Sequence, residues 1–486
     1  MKGLNNMKKI LLMTALIFLS VTLFACGGST SDVTTVTIGF WPPSNLTDDV
    51  QMYEDWERMF EADHPEYDIV GQPYTYSTDT FAALANTGNL PVVFETWFTE
   101  PEKLVSKGYV RDITSQLIEL GWLDKMDDEM RAELTFDSKV YGIPRDGYGL
   151  GLFLNLEIFE MVGLMSDINN DGIVDIVDEE GNPLYPTTMD ELYDTASYIS
   201  QQMASVYGEE VAGLVILSAN KNGGWQFSNL AWNFGESLQV YNETTFEWHA
   251  NLNSSAAIRA LQWIYDLKWQ AEALPSTPSL TYSDWYFYIG NNMAAMAFVG
   301  SDAINLPVTN YDMNKDYIAY VPMPAGSDEE GNTYQKTLFG GTPYMFSARA
   351  TDEQIMGALL FMEYIGRSPE TSDISEQSMI RGQTVAESKG MTIVPTIKAW
   401  KSPEYLAMVE EIEARYVNVY MPNFQDFYDA LLTTKNPEEP YYAQEMYEIL
   451  DSVIQQVLTD ENANPAALLN AANTTFETNY MSEVNK

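Results

Sequence analysis

The sequence predicts an α/β fold built from more than one unit, and three observations carry that prediction. Strand patterns and helix patterns alternate between residues 36 and 108. Helix and strand signals keep recurring along the rest of the chain, with no tandem repeat and no long low-complexity linker. The length, 486 residues, points to two or three domains.

The elements follow in order. Val36, Ile38 and Phe40 alternate with Thr37 and Gly39, the period of a strand, and Trp41-Pro42-Pro43 ends it. Residues 48–63 read as an amphipathic helix, because Met52, Trp56, Met59 and Phe60 share a face and Pro65 follows. Strands are expected at 66–76 and 90–94, a short helix at 81–85, and a helix at 100–107 that stops at Gly108. Two apolar stretches, 140–144 and 150–154, bracket Arg145-Asp146-Gly147-Tyr148-Gly149. Thr188-x-x-Glu191 is a capping box ahead of Leu192, Ala196 and Ile199, with each side chain placed to satisfy the other's backbone N–H. Further helices are expected at 254–272, 351–366, 403–415 and 442–459, and strands at 211–217, 294–299 and 317–321.

The N-terminus is built for export. Lys8 and Lys9 precede a mostly apolar run over 10–25, and no acid occurs before Asp32. Leu23-Phe24-Ala25-Cys26 resembles the bacterial lipobox, which implies a signal peptide over 1–25 and a lipidated Cys26, with 26–32 as a polar tether. Cys26 is the only cysteine, so the mature chain has no internal disulfide and depends on its core. With 70 acidic and 25 basic residues, the surface repels nucleic acid and anionic lipid. The acidity serves solubility outside a cell. Combined with 13% aromatic residues it also suits neutral sugars, whose hydroxyls donate to carboxylates and whose C–H faces stack on rings.

Catalytic motifs are scarce. The two histidines, His64 and His249, form no metal-binding pair, and there is no phosphate loop and no Gly-x-Ser-x-Gly elbow. A carboxylate pair for glycoside hydrolysis remains open, because acids are abundant and no spacing singles one out.

The order of several short segments resembles the extracellular solute-binding proteins of bacterial sugar importers. They include Gly88-Asn89-Leu90-Pro91, Lys107-Gly108-Tyr109-Val110, Tyr141-Gly142-Ile143-Pro144, Pro186-Thr187-Thr188-Met189, Asn291-Asn292-Met293-Ala294, Val321-Pro322-Met323-Pro324 and Gly340-Gly341. Asn291-Asn292 departs from the more usual Gly-Lys pair, and the segment 165–185 is an insertion relative to the family. The resemblance implies a two-lobed periplasmic-binding-protein-like fold with a ligand cleft between lobes. It places 33–145 plus 317–347 in the N-terminal lobe and 146–316 plus 348–486 in the C-terminal lobe. Crossings are expected near Asp146, Asp316 and Ala348. It also implies a carbohydrate ligand, the permease subunits of an ABC importer as partners, and a monomer tethered to the outer face of the cytoplasmic membrane. A secreted carbohydrate-active enzyme, or a sugar sensor or adhesion protein on the same fold, is the alternative.

By the same resemblance Trp41, Trp97, Tyr148 and Trp225 lie at strand-end or loop positions in the cleft. Glu95, Asp146 and Asp302 are hydroxyl acceptors there, and Gly340 and Gly341 admit the ligand to the backbone. Trp232 and Trp285 serve equally well as core. One motif stands outside the resemblance. In the insertion, Asp167, Asn169, Asp171, Asp175 and Asp178 occupy positions 1, 3, 5, 9 and 12 of a calcium loop, with Gly172 at the turn and Val174 at the apolar position. Ile173 would add its carbonyl oxygen. A structural Ca²⁺ is the expected cofactor, against the plainer reading of an acidic solvated loop.

Overall fold

The computed structural model describes residues 33–208 and 210–485. The signal, the tether and Cys26 lie outside the described residues.

Nine strands form one continuous sheet: β1 (Thr34–Ile38), β2 (Tyr67–Gly71), β3 (Val93–Glu95), β4 (Gly142–Asn155), β5 (Ala212–Val215), β6 (Ala294–Gly300), β7 (Ile318–Val321), β8 (Thr337–Phe346) and β9 (Lys435–Pro437). The order is β2-β1-β3-β8-β4-β6-β5, with β7 on the other edge of β4 and β9 on β8. The helices that matter for the site are α1 (Thr47–Asp63), α2 (Met189–Gln202), α3 (Asn222–Asn233), α4 (Ser255–Trp269), α5 (Tyr282–Gly290), α6 (Asp352–Tyr364) and α7 (Ala443–Thr459). Among the described residues, no helix is long and apolar enough to cross a membrane.

Strand β4 organises the molecule. Its residues up to Gly149 pair antiparallel with β8, and from Leu150 onward it pairs with β6 and β7. The two apolar stretches expected at 140–144 and 150–154 are therefore parts of one strand that runs from one core to the next. The first core gathers Val36, Ile38, Phe60, Val93, Ile143 and Phe346. The second gathers Leu150, Leu154, Leu192, Leu230, Ile264 and Leu450, with an adjoining cluster around Phe153, Trp285 and Tyr320. These are buried apolar layers on both sides of sheet strands, the arrangement that makes each half an independent unit.

The chain passes between halves later than expected. β7, expected to open the return to the first lobe at 317, pairs with residues 152–155 of β4, and Ala319 and Val321 join the second core. The return runs along β8, where Leu338 packs in the second core and Phe339 in the first. Helix α6, expected in the C-terminal lobe, buries Ile355, Leu359 and Met362 in the first core beside β1, and Trp400 does the same. The reason is pairing and cover: β4 offers its 142–149 half to β8, and the apolar face of α6 packs on β1 and α1 in the first core. The capping box on α2 forms, with Glu191 N–H donating to Thr188 Oγ1 at 3.2 Å and Thr188 N–H to Glu191 at 3.2 Å.

A candidate ligand cleft between the two cores

A cavity of about 490 Å³ lies where the halves meet. Trp97, Gly341 and Thr342 line it from the first half, and Tyr148 from the crossing strand. The 220–225 turn with Trp225, then Tyr282, Gly300 and Asp302, line it from the second half. Glu438, Gln444 and Tyr447 complete the wall from β9's exit and α7.

Helix α3 brings Trp225 to the cavity, and its placement is tightly specified. Lys221 turns in the left-handed region at φ +71° before α3 begins. The Asp451 carboxylate on α7 accepts from the backbone N–H groups of Lys221 and Gly224, the latter at 2.9 Å, so it caps α3 from outside. Gln226 accepts from Leu217 N–H at 2.8 Å and donates to Phe298 O at 2.8 Å, fixing α3 to the sheet. Trp225 then meets Tyr148 at a ring-centroid distance of 6.0 Å and Tyr282 at 6.4 Å, both tilted toward edge-to-face. Trp97, 40% exposed, leans on Tyr76 at 5.1 Å from the first half.

The polar groups are few and directed. The Asp302 side chain reaches solvent through the cavity, yet surrounding protein pushes its pKa up to about 6, with the Asp146 charge adding to the effect. Burial raises Glu438 to about 7; its Oε2 accepts from the Tyr447 hydroxyl at 2.6 Å. Burial, then the Glu438 and Asp302 charges, holds the Tyr148 phenol well above its usual range. Lys221 Nζ reaches across to Thr78 Oγ1 at 2.9 Å, and Gln444 to Thr99 Oγ1 at 3.1 Å. Lys103 Nζ is 3.0 Å from Glu445 on α7 and 3.0 Å from Glu100 beside it. These contacts tie the halves together along one rim. Aromatic faces with a handful of fixed donors and acceptors suit a hydroxylated ring ligand. Among the described residues no His, Cys or Ser lines the cavity.

The expected site residues divide. Trp97, Tyr148, Trp225, Asp302 and Gly341 line this cavity. Tyr148 does so from within a strand and Trp225 from a helix, not from loops. Gly340 sits behind the wall, where a Cβ would meet the Tyr148 hydroxyl at 2.5 Å and Glu438 at 2.8 Å. Trp41 is a core residue, 8% exposed and packed on Tyr53 at 5.1 Å, because the chain folds back over Gly71 after β1. Trp232 is also core, its indole N–H donating to Glu439 at 2.9 Å, and Trp285 is fully buried. Asp146 is outside the lining; it is held 2.6 Å from Arg145 and accepts from Thr342 N–H at 3.2 Å. Glu95 pairs with Arg145 at 3.0 Å and faces a different cavity. Tyr282, Glu438, Gln444 and Tyr447 were missed. Tyr282 carries a findable signal, since Thr281 and Asp284 make a capping box that starts α5 at the cavity edge.

Burial also raises Glu133 and Glu439 to about 7 and Asp451 to about 6. With folded pKa values above the unfolded ones, these acids make the native chain bind more protons than the unfolded chain between about pH 4 and 7. Their stabilising effect is full below the unfolded pKa and is lost as pH rises through 6 to 7. Asp112 and Glu191 are shifted down, so they oppose this only below about pH 4. The thermal midpoint is therefore expected to be higher near pH 5.5 than near pH 8, and a flat or opposite trend by calorimetry would contradict the assignment.

The insertion loop is ordered by its own acids. Asp167 accepts from Asp171 N–H at 3.1 Å and Gly172 N–H at 2.9 Å, and Asp171 accepts from Ile173 N–H at 2.9 Å. Asn169 lies 3.4 Å from Asp175, and Gly172 makes the turn at φ +93°. Asp178 departs from the expected set. Its carboxylate accepts from Glu180, Asn182 and the Asn182 amide in a separate turn. Among the described residues no three His, Cys, Asp or Glu side chains gather as metal ligands would.

Residues 56–382 match the model of a family described as bacterial extracellular solute-binding protein. No curated protein matches the sequence. Among solved structures, an ABC substrate-binding protein from Listeria monocytogenes in complex with cycloalternan shares 15% identity at a TM-score of 0.63, over 92% of this chain and 98% of that one. The GacH receptor of Streptomyces glaucescens, solved unliganded and with acarbose, shares 18% at 0.62, over 92% and 98%. UgpB from Mycobacterium tuberculosis, in complex with glycerophosphocholine, shares 11% at 0.66, over 93% and 98%. These likenesses are of fold, and they carry the two-lobed solute-binding architecture. With most of its length matched by the family model, the chain belongs to the bacterial extracellular solute-binding proteins.

Proposed function

We propose that the protein is a lipid-anchored receptor that binds a sugar or oligosaccharide outside the cell and delivers it, unchanged, to an ABC importer. The observation that carries this reading is the cavity between the halves, with Trp97, Tyr148, Trp225 and Tyr282 around it and Asp302 and Glu438 as hydroxyl acceptors. Similar structures were solved with cycloalternan and acarbose, which supports a glycan as ligand. Titration of a panel of mono- and oligosaccharides tests it: one should bind and be recovered intact. Product formation would favour the enzyme reading, with Asp302 and Glu438 as the carboxylates to replace first.

Anchoring rests on Leu23-Phe24-Ala25-Cys26. Cys26→Ala is expected to release the protein from membranes into the medium, since a single weak hydrophobic signal does not hold a soluble domain. Unchanged membrane association in fractionation would remove the anchor.

The loop 167–178 is proposed to take one structural Ca²⁺ through Asp167, Asn169, Asp171, the Ile173 carbonyl and Asp175. Asp178 would join after leaving its turn with Asn182. Filling the site at millimolar calcium would stabilise the fold by about 1–2 kcal/mol, for a dissociation constant of roughly 10⁻⁴ M. The thermal midpoint should rise with calcium over chelator in the wild type and not in Asp171→Ala. No calcium-dependent shift in the wild type would end the proposal.

A further inference from the structure

A second cavity, of about 480 Å³, opens on the first half between α1 and the segment that follows α6. It shares no lining residue with the cleft. Three arginines line it: Arg145, Arg367 and Arg381. In a chain with 25 basic and 70 acidic residues, this cavity gathers three guanidinium groups with the carboxylates of Asp49 and Glu95. Phe40, Tyr53 and Trp56 line the same space.

The arginines are not equally satisfied. Arg145 is held by Asp146 at 2.6 Å and by Glu95 at 3.0 Å. Among the described residues, Arg367 has only the same Glu95 oxygen as an anion, at 3.7 Å. Its remaining partners are neutral: the hydroxyls of Tyr53 and Tyr344, and the Phe40 ring beneath it at 4.6 Å. Gly366, at φ +79°, ends α6 and turns the chain so that Arg367 N–H returns to Met362 O at 2.7 Å. The guanidinium is thus fixed in place. Arg381 is exposed and makes no hydrogen bond or ion pair with the described residues. Asp49 is the one lining carboxylate that pairs with none of the three.

We infer that this cavity is a second small-molecule site, one that takes a carboxylate carried on a hydroxylated ring, as in a uronic acid. A carboxylate accepts two parallel N–H bonds from a guanidinium, and Arg381, which has no partner among the described residues, offers that fork, with the Arg367 charge in the same lining. The ring lies against Trp56, whose face suits C–H groups. Asp49 accepts from a ring hydroxyl, which a simple carboxylic acid lacks. The site takes its anion beside Arg145, three residues before Tyr148 on the strand that joins the halves.

The test is calorimetric titration of the mature protein with D-glucuronate and D-galacturonate, and with D-glucose and acetate as probes of ring and charge alone. At least one uronate should bind roughly tenfold or more tightly than glucose or acetate, and more weakly as salt is raised. Arg381→Gln should weaken uronate binding by roughly tenfold, with Arg381→Lys weakening it less, and should leave binding of a neutral oligosaccharide as it was. A neutral oligosaccharide that fills the cleft should not displace the uronate. Absence of uronate binding, equal binding of acetate, full displacement by the cleft ligand, or wild-type uronate affinity in Arg381→Gln would each overturn the inference. Binding of neutral sugars by the wild type is read separately, so the cleft reading stands or falls by itself.

Discussion

Replacing Trp225 with Ala is expected to weaken binding of the cleft's sugar by about 1–3 kcal/mol, a loss of roughly five- to 150-fold in affinity. The size follows from position. Trp225 is the ring shared by the aromatic cluster, 6.0 Å from Tyr148 and 6.4 Å from Tyr282, and it lines the cavity from the first turn of α3. Its removal takes away apolar area against the ligand and loosens the two phenols that flank it. Trp97→Ala should lose less, because Trp97 is 40% exposed and packs by its edge on Tyr76. Fluorescence titration of both variants checks the order. If the wild type binds a sugar and neither substitution weakens it, the site has been placed wrongly.

Gly224→Val is expected to destabilise the fold by about 3 kcal/mol and to lower ligand affinity with it. A Cβ at Gly224 would stand 2.3 Å from Tyr447 Cα and 2.5 Å from Tyr447 O, both backbone atoms of α7. No side-chain rotation relieves that overlap, so α3 and α7 must separate. Their separation pulls Gly224 N–H from Asp451, to which it donates at 2.9 Å, and carries Trp225 away from Tyr447 and Tyr148. Denaturant unfolding measures the stability change, and titration measures the affinity. A variant as stable as the wild type would show that the two helices do not pack as closely as described.

The elements that rest on one apolar face were legible in the sequence. Helix α1 and the capping box of α2 follow periods and pairings that local chemistry dictates, although on α1 Tyr53 and Phe60 are the buried residues and Met59, expected on that face, is exposed. Strand β4 looked like two pieces because Gly147 and Gly149 interrupt its apolar run. Both are small for a tertiary reason: Cβ atoms there would meet Phe339 and Leu431 at 2.8 and 2.7 Å. Helix α3 was invisible as a helix. It opens on Gly223 and Gly224, and its buried residues mix amides (Gln226, Asn229, Asn233) with apolar groups (Phe227, Leu230, Trp232), so no clean apolar stripe marks it. Asn229 exchanges hydrogen bonds with Lys336 O and Leu338 N–H at 2.7 and 2.9 Å, and Asn233 accepts from Lys336 N–H at 2.6 Å.

The same logic divides the site. Trp225 and Tyr148 were expected in the cleft from the family resemblance, and both line the cavity. Tyr447 was not, since on α7 it reads as one more position of an apolar stripe, and Glu438 is one acid among 70 Asp and Glu. Trp41 failed in the opposite direction. A Trp just past a strand end reads as a ligand platform, but the cavity left by Gly71 buries it. Only the packing of the finished fold separates those two outcomes.

The central claim is that a glycan sits between the two halves against Trp97, Tyr148, Trp225 and Tyr282. A crystal structure of the mature protein with an oligosaccharide chosen by titration tests it most directly. The account predicts ligand density in that cavity, with a pyranose face on Trp225 and hydroxyls within hydrogen-bonding distance of Asp302 or Glu438. A sugar bound elsewhere on the molecule, with the cleft holding only water, would contradict it.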